Sequence, residues 1–438
     1  MKNVKNSIYG VINALVFPIL MLLATPILLN TLGVEGYATW ILVNSVVASL
    51  AVVNFGGGDV IIKFISSSRG VGGSKNSSEE VFSTVFVFQA LAVLVIYILF
   101  FIVAPFLTQY IASANLLTFL DILYFAIPVF FVKQLEDLLY SFLSGFEEFG
   151  RGTAMSSISN ALFLVTQIII AIYTQSVKDI FIGALAVSIL LFLFQFIYIK
   201  RIHKDNISFN KASVGVAKSL LSFGGWNWLS SLASIPKGHS DKWLISGLLG
   251  LKTFGVYSIG VLVFNQLHTI IGSSIWWIFP GISKENSDKK LLVKKYWKLS
   301  FYVALVSIFT SVILTNLDFL FELWLGQEFY QNSQYYIGTF LLILPVFTIN
   351  LVFHVYFLGL GLVKCKFFTE TLSLMIKVVT IWLVIGVFNV EEWVLFFMVF
   401  IAIEYIVYSA IISRNLPIKF THLVVFLLLQ IAIVFLRI

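Results

Sequence analysis

The chain has 438 residues, of which 59% are apolar and 11% charged, with a formal net charge of +7. Soluble domains carry about 25% charged residues, so this composition excludes an ordinary soluble enzyme, a coiled coil and a disordered chain. A helix needs about 20 apolar residues to cross the hydrocarbon core, so the length allows about a dozen spans and little else.

In chain order, apolar runs between polar breaks predict spans at 8–30, 37–65, 81–104, 117–141, 153–173, 180–199, 219–248, 256–280, 299–325, 335–362, 368–388 and 393–412. A last apolar stretch, 423–436, is shorter and reads either as a thirteenth span or as an interfacial helix. The expected fold is therefore all-α and polytopic, with about 12 transmembrane helices and a short extra C-terminal helix.

Lysine and arginine partition sharply between the two sets of loops. Twenty fall in the N-terminal segment, in 66–80, 142–152, 200–218 and 281–298, and after the tenth and twelfth spans. The opposite loops hold only Lys178 and Lys252. Positive charge is retained on the cytoplasmic side, so the pattern supports the span register and predicts a cytoplasmic N-terminus. Lys2 and Lys5 precede the first apolar run. That run is too long for a signal peptide and has no Ala-x-Ala-like site, so it reads as an uncleaved span.

No loop is long enough for a catalytic domain, and no phosphate-binding G-x-x-x-x-G-K-[ST] motif occurs. The outer loops are too short to wrap a glycan substrate, which argues against a membrane glycan polymerase or acyltransferase. The single cysteine, Cys365, excludes an internal disulfide and a Cys-rich metal site and reads as a bystander thiol. A metal site is not expected, and a nucleic-acid partner is not needed to explain a positive charge that sits in loops.

The basic stretch 200–218 divides the chain after six spans. Leu32-Gly33-x-x-Gly36-Tyr37 resembles Leu249-Gly250-x-x-x-x-Gly255-x-Tyr257, and Phe142-Leu143-Ser144-Gly145 resembles Phe357-Leu358-Gly359, at nearly one offset. Two such matches favour a duplication. Six spans per half make it a parallel repeat of the kind found in transporters. The expected organisation is an N-terminal six-helix lobe (1–199), a basic cytoplasmic linker (200–218), a C-terminal six-helix lobe (219–414) and an apolar C-terminal segment (415–438).

Charge inside hydrocarbon costs about 2.5–3.5 kcal/mol per group on insertion scales, so charged residues within spans mark cavities, partners or snorkelling. Lys63, Lys133 and Lys242 lie near span ends, whereas Lys237 and Lys377 lie deeper. The segment Pro236-Lys237-Gly238-His239-Ser240-Asp241-Lys242 is the most unusual. Pro and Gly predict a helix break there, and Lys237 and Asp241, four apart, share a face and can pair. Asp59 and Lys63, also four apart, follow a glycine run in the second span. Glu404 stands mid-span among apolar and aromatic neighbours and is a candidate for exchanging H+ or Na+. Asn350 and His354 share a face of the tenth span, where helix–helix hydrogen bonds account for them. The loop 284–298 alternates six lysines with Leu, Tyr and Trp and reads as a basic interfacial helix on anionic lipid.

These motifs together resemble the Wzx-type O-antigen and polysaccharide flippases of the multidrug/oligosaccharidyl-lipid/polysaccharide exporter superfamily. The resemblance rests on Leu32-Gly33-x-x-Gly36-Tyr37-x-x-Trp40, Asn54-Phe55-Gly56-x-Gly58 with Lys63-Phe64, Ser144-Gly145-Phe146-Glu147-x-Phe149, and Asp241-Lys242-x-x-Ile245-x-Gly247-x-x-Gly250 with Gly255-x-Tyr257. It implies two six-helix lobes around a cavity that opens alternately to each side of a bacterial inner membrane. The cargo it implies is an undecaprenyl-diphosphate-linked oligosaccharide, moved without catalysis. No cofactor is implied beyond a coupling H+ or Na+; membrane lipids and other surface-polysaccharide assembly proteins are the implied partners. The expected cavity residues are Lys237, Asp241, Lys242, Lys377, Lys63 and Asp59, with Glu404 for ion coupling. The family usually lines its cavity with several cations, often arginines; here all five span cations are lysines. The rival within transport is a cation-coupled multidrug exporter, whose pocket would be dominated by carboxylates.

Overall fold

The computed structural model is almost entirely helical in its described residues, with short turns between the helices. The backbone is described except at residue 1 and residues 52–56, 69–77, 111–113, 204–210, 277–281, 283–287, 388–389 and 436–438. Side chains at 2–15, 59, 63, 66–68, 103–110, 114–117, 218–227, 276, 363, 384–387, 390–399 and 433–435 also lie outside the described residues.

The helices, in chain order, are α1 (Lys2–Ser49), α2 (Gly57–Ser68), α3 (Ser78–Tyr110), α4 (Ala114–Gly145), α5 (Phe149–Thr174), α6 (Val177–Ile202), α7 (Val214–Trp276), α8 (Lys289–Leu314), α9 (Asp318–Leu325), α10 (Gln327–Thr348), α11 (Asn350–Gly359), α12 (Val363–Val387), α13 (Val390–Asn415) and α14 (Phe420–Phe435). Among the described residues, eight helical segments are long and apolar enough to cross a membrane. Two of them are each continuous across two predicted spans. Trp228–Ile275 has 48 residues, or ~72 Å at about 1.5 Å per residue, more than twice a core about 30 Å thick. It divides at Gly250 (φ 84°, ψ 168°), and α1 divides likewise at Gly33 (φ 70°, ψ 174°).

Those angles belong to a region that is essentially glycine-only. A Cβ at either position would meet nothing within 4 Å, so any cost of substitution comes from the backbone alone. Gly33→Ala and Gly250→Ala are each expected to lower stability by about 1–3 kcal/mol. Gly247→Ala, in helical backbone with equally open space, should be neutral or slightly stabilising. Thermal unfolding in detergent checks the contrast.

The chain divides into two compact units, Met1–Leu229 and Ser230–Ile438. In the first, α2, α3 and α4 enclose a core of Val60, Ile61, Ile65, Val81, Phe82, Val85, Leu138, Leu139 and Phe142, joined by Ile199 of α6. Helix α1 packs on α5, and Trp40 donates from Nε1 to Gln167 Oε1 at 2.8 Å. In the second unit, Tyr257 and Phe264 of α7 lie edge-on against Tyr336, Phe340 and Phe347 of α10, and α10 in turn packs on α8 and α13.

The repeat read from the sequence recurs in backbone geometry. Gly33 and Gly250 break their helices with nearly the same angles. Helices α4 and α11 end in the same turn: Glu148 N donates to Leu143 O at 2.9 Å, and Leu362 N to Phe357 O at 2.8 Å. Glu147 (φ 61°) and Gly361 (φ 74°) take the left-handed position in each. This register sets Gly145 opposite Gly359 and Leu143 opposite Phe357, one residue off the alignment of Phe142 with Phe357. A Cβ on Gly145 would fall 2.8 Å from Ile65 Cβ, and one on Gly359 2.8 Å from Ile282 Cβ. Two independent close approaches thus occupy equivalent places. Branched Cβ atoms yield little, so Gly359→Ala is expected to cost about 1–3 kcal/mol by overpacking, measured again by thermal unfolding.

Several predicted boundaries shift. The backbone stays helical through Pro236–Lys242, and the break falls at Gly250 instead. One proline removes a single ladder bond, which a long packed helix absorbs, whereas a positive φ redirects the chain. The predicted span 299–325 divides into α8 and α9. Helix α8 begins at Lys289, so Lys289–Lys298 are the first turns of a long helix rather than a separate interfacial one. Its start is fixed by Asp288, whose carboxylate accepts from Leu291 N at 3.0 Å. The predicted span 335–362 is split between α10 and α11 after Pro345, with the ladder restarting in a bond from Val352 N to Ile349 O at 3.1 Å.

Candidate functional site

Five charged residues of the second unit, Lys237, Asp241, Glu370, Lys377 and Glu404, meet in one network built with α7, α11, α12 and α13. Lys237 of α7 extends its ammonium between two carboxylates, 2.5 Å from Glu370 of α12 and 2.8 Å from Glu404 of α13. Glu404 Oε1 also accepts from Ser373 Oγ at 3.0 Å and Tyr408 OH at 2.8 Å, and Oε2 from Asn350 Nδ2 at 3.3 Å. One turn further along α7, Asp241 accepts from Lys377 Nζ and from Tyr257 OH, both at 2.8 Å. Lys377 Nζ donates as well to the carbonyl of Lys237 at 2.6 Å. That bond joins the two halves of the network.

The groups are deeply buried: Glu370 is 2% exposed, Lys377 and Glu404 each 5%, and Asp241 6%. Buried charges persist only when paired and hydrogen-bonded, and here every ammonium faces a carboxylate. Three carboxylates share two ammonium groups at contact distance. His354 Nδ1 lies 3.7 Å from Glu370 Oε1, where a protonated imidazole would balance the third.

The structure thus brings Lys237, Asp241, Lys377 and Glu404 together, but not in the pairs expected from spacing. Lys237 and Asp241 do not pair with each other. Burial makes neighbouring helices the better source of partners: Lys237 reaches α12 and α13, and Lys377 takes Asp241. Glu404 has four polar partners, Lys237, Asn350, Ser373 and Tyr408, rather than only apolar and aromatic neighbours. Asn350 and His354 both reach the network, which helix–helix bonding explains. Lys242 is half-buried on α7 beside Asp241. Asp59 and Lys63 fall on α2, and their side chains lie outside the described residues.

Sequence reading missed Glu370. The signal was present: Glu370, Ser373 and Lys377 repeat at three- and four-residue spacing, on one face of α12. Searching spans for cations first hid the acid on the same stripe.

The first unit holds a smaller polar cluster. Lys133 Nζ lies 2.9 Å from both Glu136 Oε2 and Ser159 Oγ, and Ser159 donates to the same Glu136 oxygen at 2.6 Å. Its ammonium also sits 4.6 Å from the centre of the Phe163 ring. Lys133 therefore has a partner within its own unit and does not need to snorkel. Beside it is a cleft of about 20 Å³, lined among others by Asp137, Asn160 and Gln195, room for one water.

Comparison with known proteins places these features in a family. The sequence profile of the family described as "Polysaccharide biosynthesis protein" matches residues 68–334. A Shigella flexneri protein named "Putative O-antigen transporter" is 25% identical over 209 residues, 47% of this chain. The chain spans about half the length of that curated relative, 48% of it. Among solved structures, an inward-facing multidrug resistance MATE family transporter of the MOP superfamily aligns with a TM-score of 0.69 at 15% identity, over 92% of this chain and 98% of its own. A MOP superfamily transporter from Pyrococcus furiosus, described as having a binding pocket of reversed polarity, aligns with a TM-score of 0.63 at 15% identity, over 94% and 96%. At such identities the likeness shows the fold. With its multi-pass helical architecture and its match across more than half its length, the chain belongs to the polysaccharide biosynthesis protein family and has the fold of the MOP-superfamily membrane transporters.

Proposed function

We propose that the protein is a flippase that moves an undecaprenyl-diphosphate-linked oligosaccharide, an O-antigen or related surface-glycan unit, from the cytoplasmic to the outer leaflet of a bacterial inner membrane. The observation that carries this reading is the family match over 68–334. Its cargo must have a head too polar to cross hydrocarbon, and a transporter need only offer that head a hydrated path while the tail stays in lipid. Lys237 and Lys377 suit the task because each is held by carboxylates that a diphosphate can replace. Lys242 beside them adds a third cation. Asp59 and Lys63 are proposed as further cargo contacts.

Movement is by alternating access, without catalysis, and driven by an ion gradient. Glu404 is the proposed coupling group, since its network carries one carboxylate more than the ammonium groups in contact with it. A proton or Na+ taken up there would balance it, and Lys237 would be freed for the cargo. Partner proteins would be the other components of surface-glycan assembly, and the N-terminus would face the cytoplasm.

The test is complementation. A bacterium lacking its own O-antigen flippase, supplied with this chain and the matching glycan-assembly enzymes, is expected to display the glycan at its surface. Cells that instead gain only resistance to cationic dyes would support the multidrug-exporter reading. Glu404→Gln is expected to keep slow display but lose its dependence on the ion gradient, seen when an ionophore no longer lowers it.

A further inference from the structure

We infer that the groove between α8 and α14 is a binding site for an anionic glycerophospholipid, retained by the protein as a resident lipid rather than carried as cargo. The groove encloses about 560 Å³ and is lined by Phe301, Leu305, Ile308 and Phe309 of α8 with Phe426 and Leu429 of α14, among others. Its walls are anchored. Tyr356 of α11 donates to the carbonyl of Leu292 in α8 at 2.8 Å, and Tyr405 of α13 to that of Leu423 in α14 at 3.1 Å. Trp297 meets Phe426 edge-on at 5.7 Å and joins the two helices.

Two observations choose the occupant. First, the stripe of α8 that lines the groove continues into exposed Lys298 and Lys294, at three- and four-residue spacing. Exposed Lys419 and His422 hold the same relation to Phe426 on α14, and the charge partition of the sequence puts both basic turns on one side of the membrane. A basic mouth over an apolar slot matches an anionic headgroup above a hydrocarbon chain. Second, the groove lies on α8 and α14, whereas the buried ionic network lies on α7, α11, α12 and α13. A lipid held in the groove is therefore not on the route through that network. This inference stands independently of the flippase reading.

The full-length protein, purified in mild detergent, would be offered phosphatidylglycerol and phosphatidylethanolamine with identical chains, and the bound lipid counted by native mass spectrometry. Phosphatidylglycerol should be retained at least about fivefold over phosphatidylethanolamine, as expected when each nearby lysine favours an anionic head by about 1 kcal/mol. The double variant Lys294→Ala/Lys298→Ala should bring the two lipids close to parity, while Lys294→Arg/Lys298→Arg keeps the preference and shows that the fold tolerates change there. Leu305→Trp should reduce retention of both lipids by filling the slot. Equal retention of the two lipids by the unaltered protein would overturn the inference. So would a preference that survives loss of both lysines. Undecaprenyl phosphate that displaces phosphatidylglycerol at equal concentration would overturn it too, since the groove would then hold the cargo's tail.

Discussion

Lys237→Met is expected to lower the initial rate of lipid-linked sugar translocation at least about tenfold, equivalent to about 1.4 kcal/mol, and to destabilise the protein as well. Without the ammonium, Glu370 and Glu404 face each other across the buried space that it now fills at 2.5 and 2.8 Å. Two carboxylates so placed cannot both stay ionised. Removing one partner from a buried pair costs about 3–5 kcal/mol in soluble proteins, and the same order is expected here. Lys237→Arg retains the charge and should recover most of the stability. A planar guanidinium does not fit between the two acids as an ammonium does, so it should recover less of the transport. Thermal unfolding and translocation per folded molecule, measured on the same preparations, separate the two effects. A Lys237→Met protein that is unstable but transports normally once folded would assign the residue to structure alone.

The second large effect concerns Asp241 and Lys377. Lys377→Met takes from Asp241 the ammonium it touches and leaves it the hydroxyl of Tyr257 and the more distant charge of Lys242, and a loss of about 3–5 kcal/mol is expected. Asp241→Asn alone strands the ammonium in turn, although the carbonyl of Lys237 still accepts from it. The double variant Asp241→Asn/Lys377→Met removes both charges and should be more stable than either single variant. Buried pairs replaced together are often neutral. A double-mutant cycle from thermal unfolding reads the coupling directly. Simple addition of the two single losses would show that the pair is not coupled, and the ionic network would then not act as a unit.

Much of the fold was legible in the sequence because hydrocarbon imposes a simple rule. Runs of about 20 apolar residues cannot hide, and the charge partition fixes how they alternate. The short motif Leu-Gly at 32–33 and 249–250 was also readable, because only glycine takes the backbone angles that turn the chain there. Boundaries inside apolar sequence were harder. Nothing in composition separates α8 from α9 or α10 from α11, where the interruption depends on local capping and on Pro345. The Pro236–Gly238 segment misled for the opposite reason: its residues permit a break, but packing keeps the helix whole.

The buried ionic network was legible residue by residue, yet not in its pairing. Lys237, Asp241, Lys377 and Glu404 were recognisable because each is costly in hydrocarbon. Their partners depend on which helices pack together, and i, i+4 spacing knows only its own helix. For that reason Glu370, which carries one side of the Lys237 contact, escaped notice although it shares a face with Lys377.

The most direct test of the flippase reading is translocation in proteoliposomes. A labelled undecaprenyl-diphosphate oligosaccharide would be placed in one leaflet and its appearance in the other followed, with and without a proton or sodium gradient. The same protein and its Lys237→Met variant would be compared, with a cationic dye in parallel vesicles. The account predicts gradient-stimulated movement of the lipid-linked sugar, a large fall in the variant and no dye transport. Dye movement with the sugar left in place would contradict it.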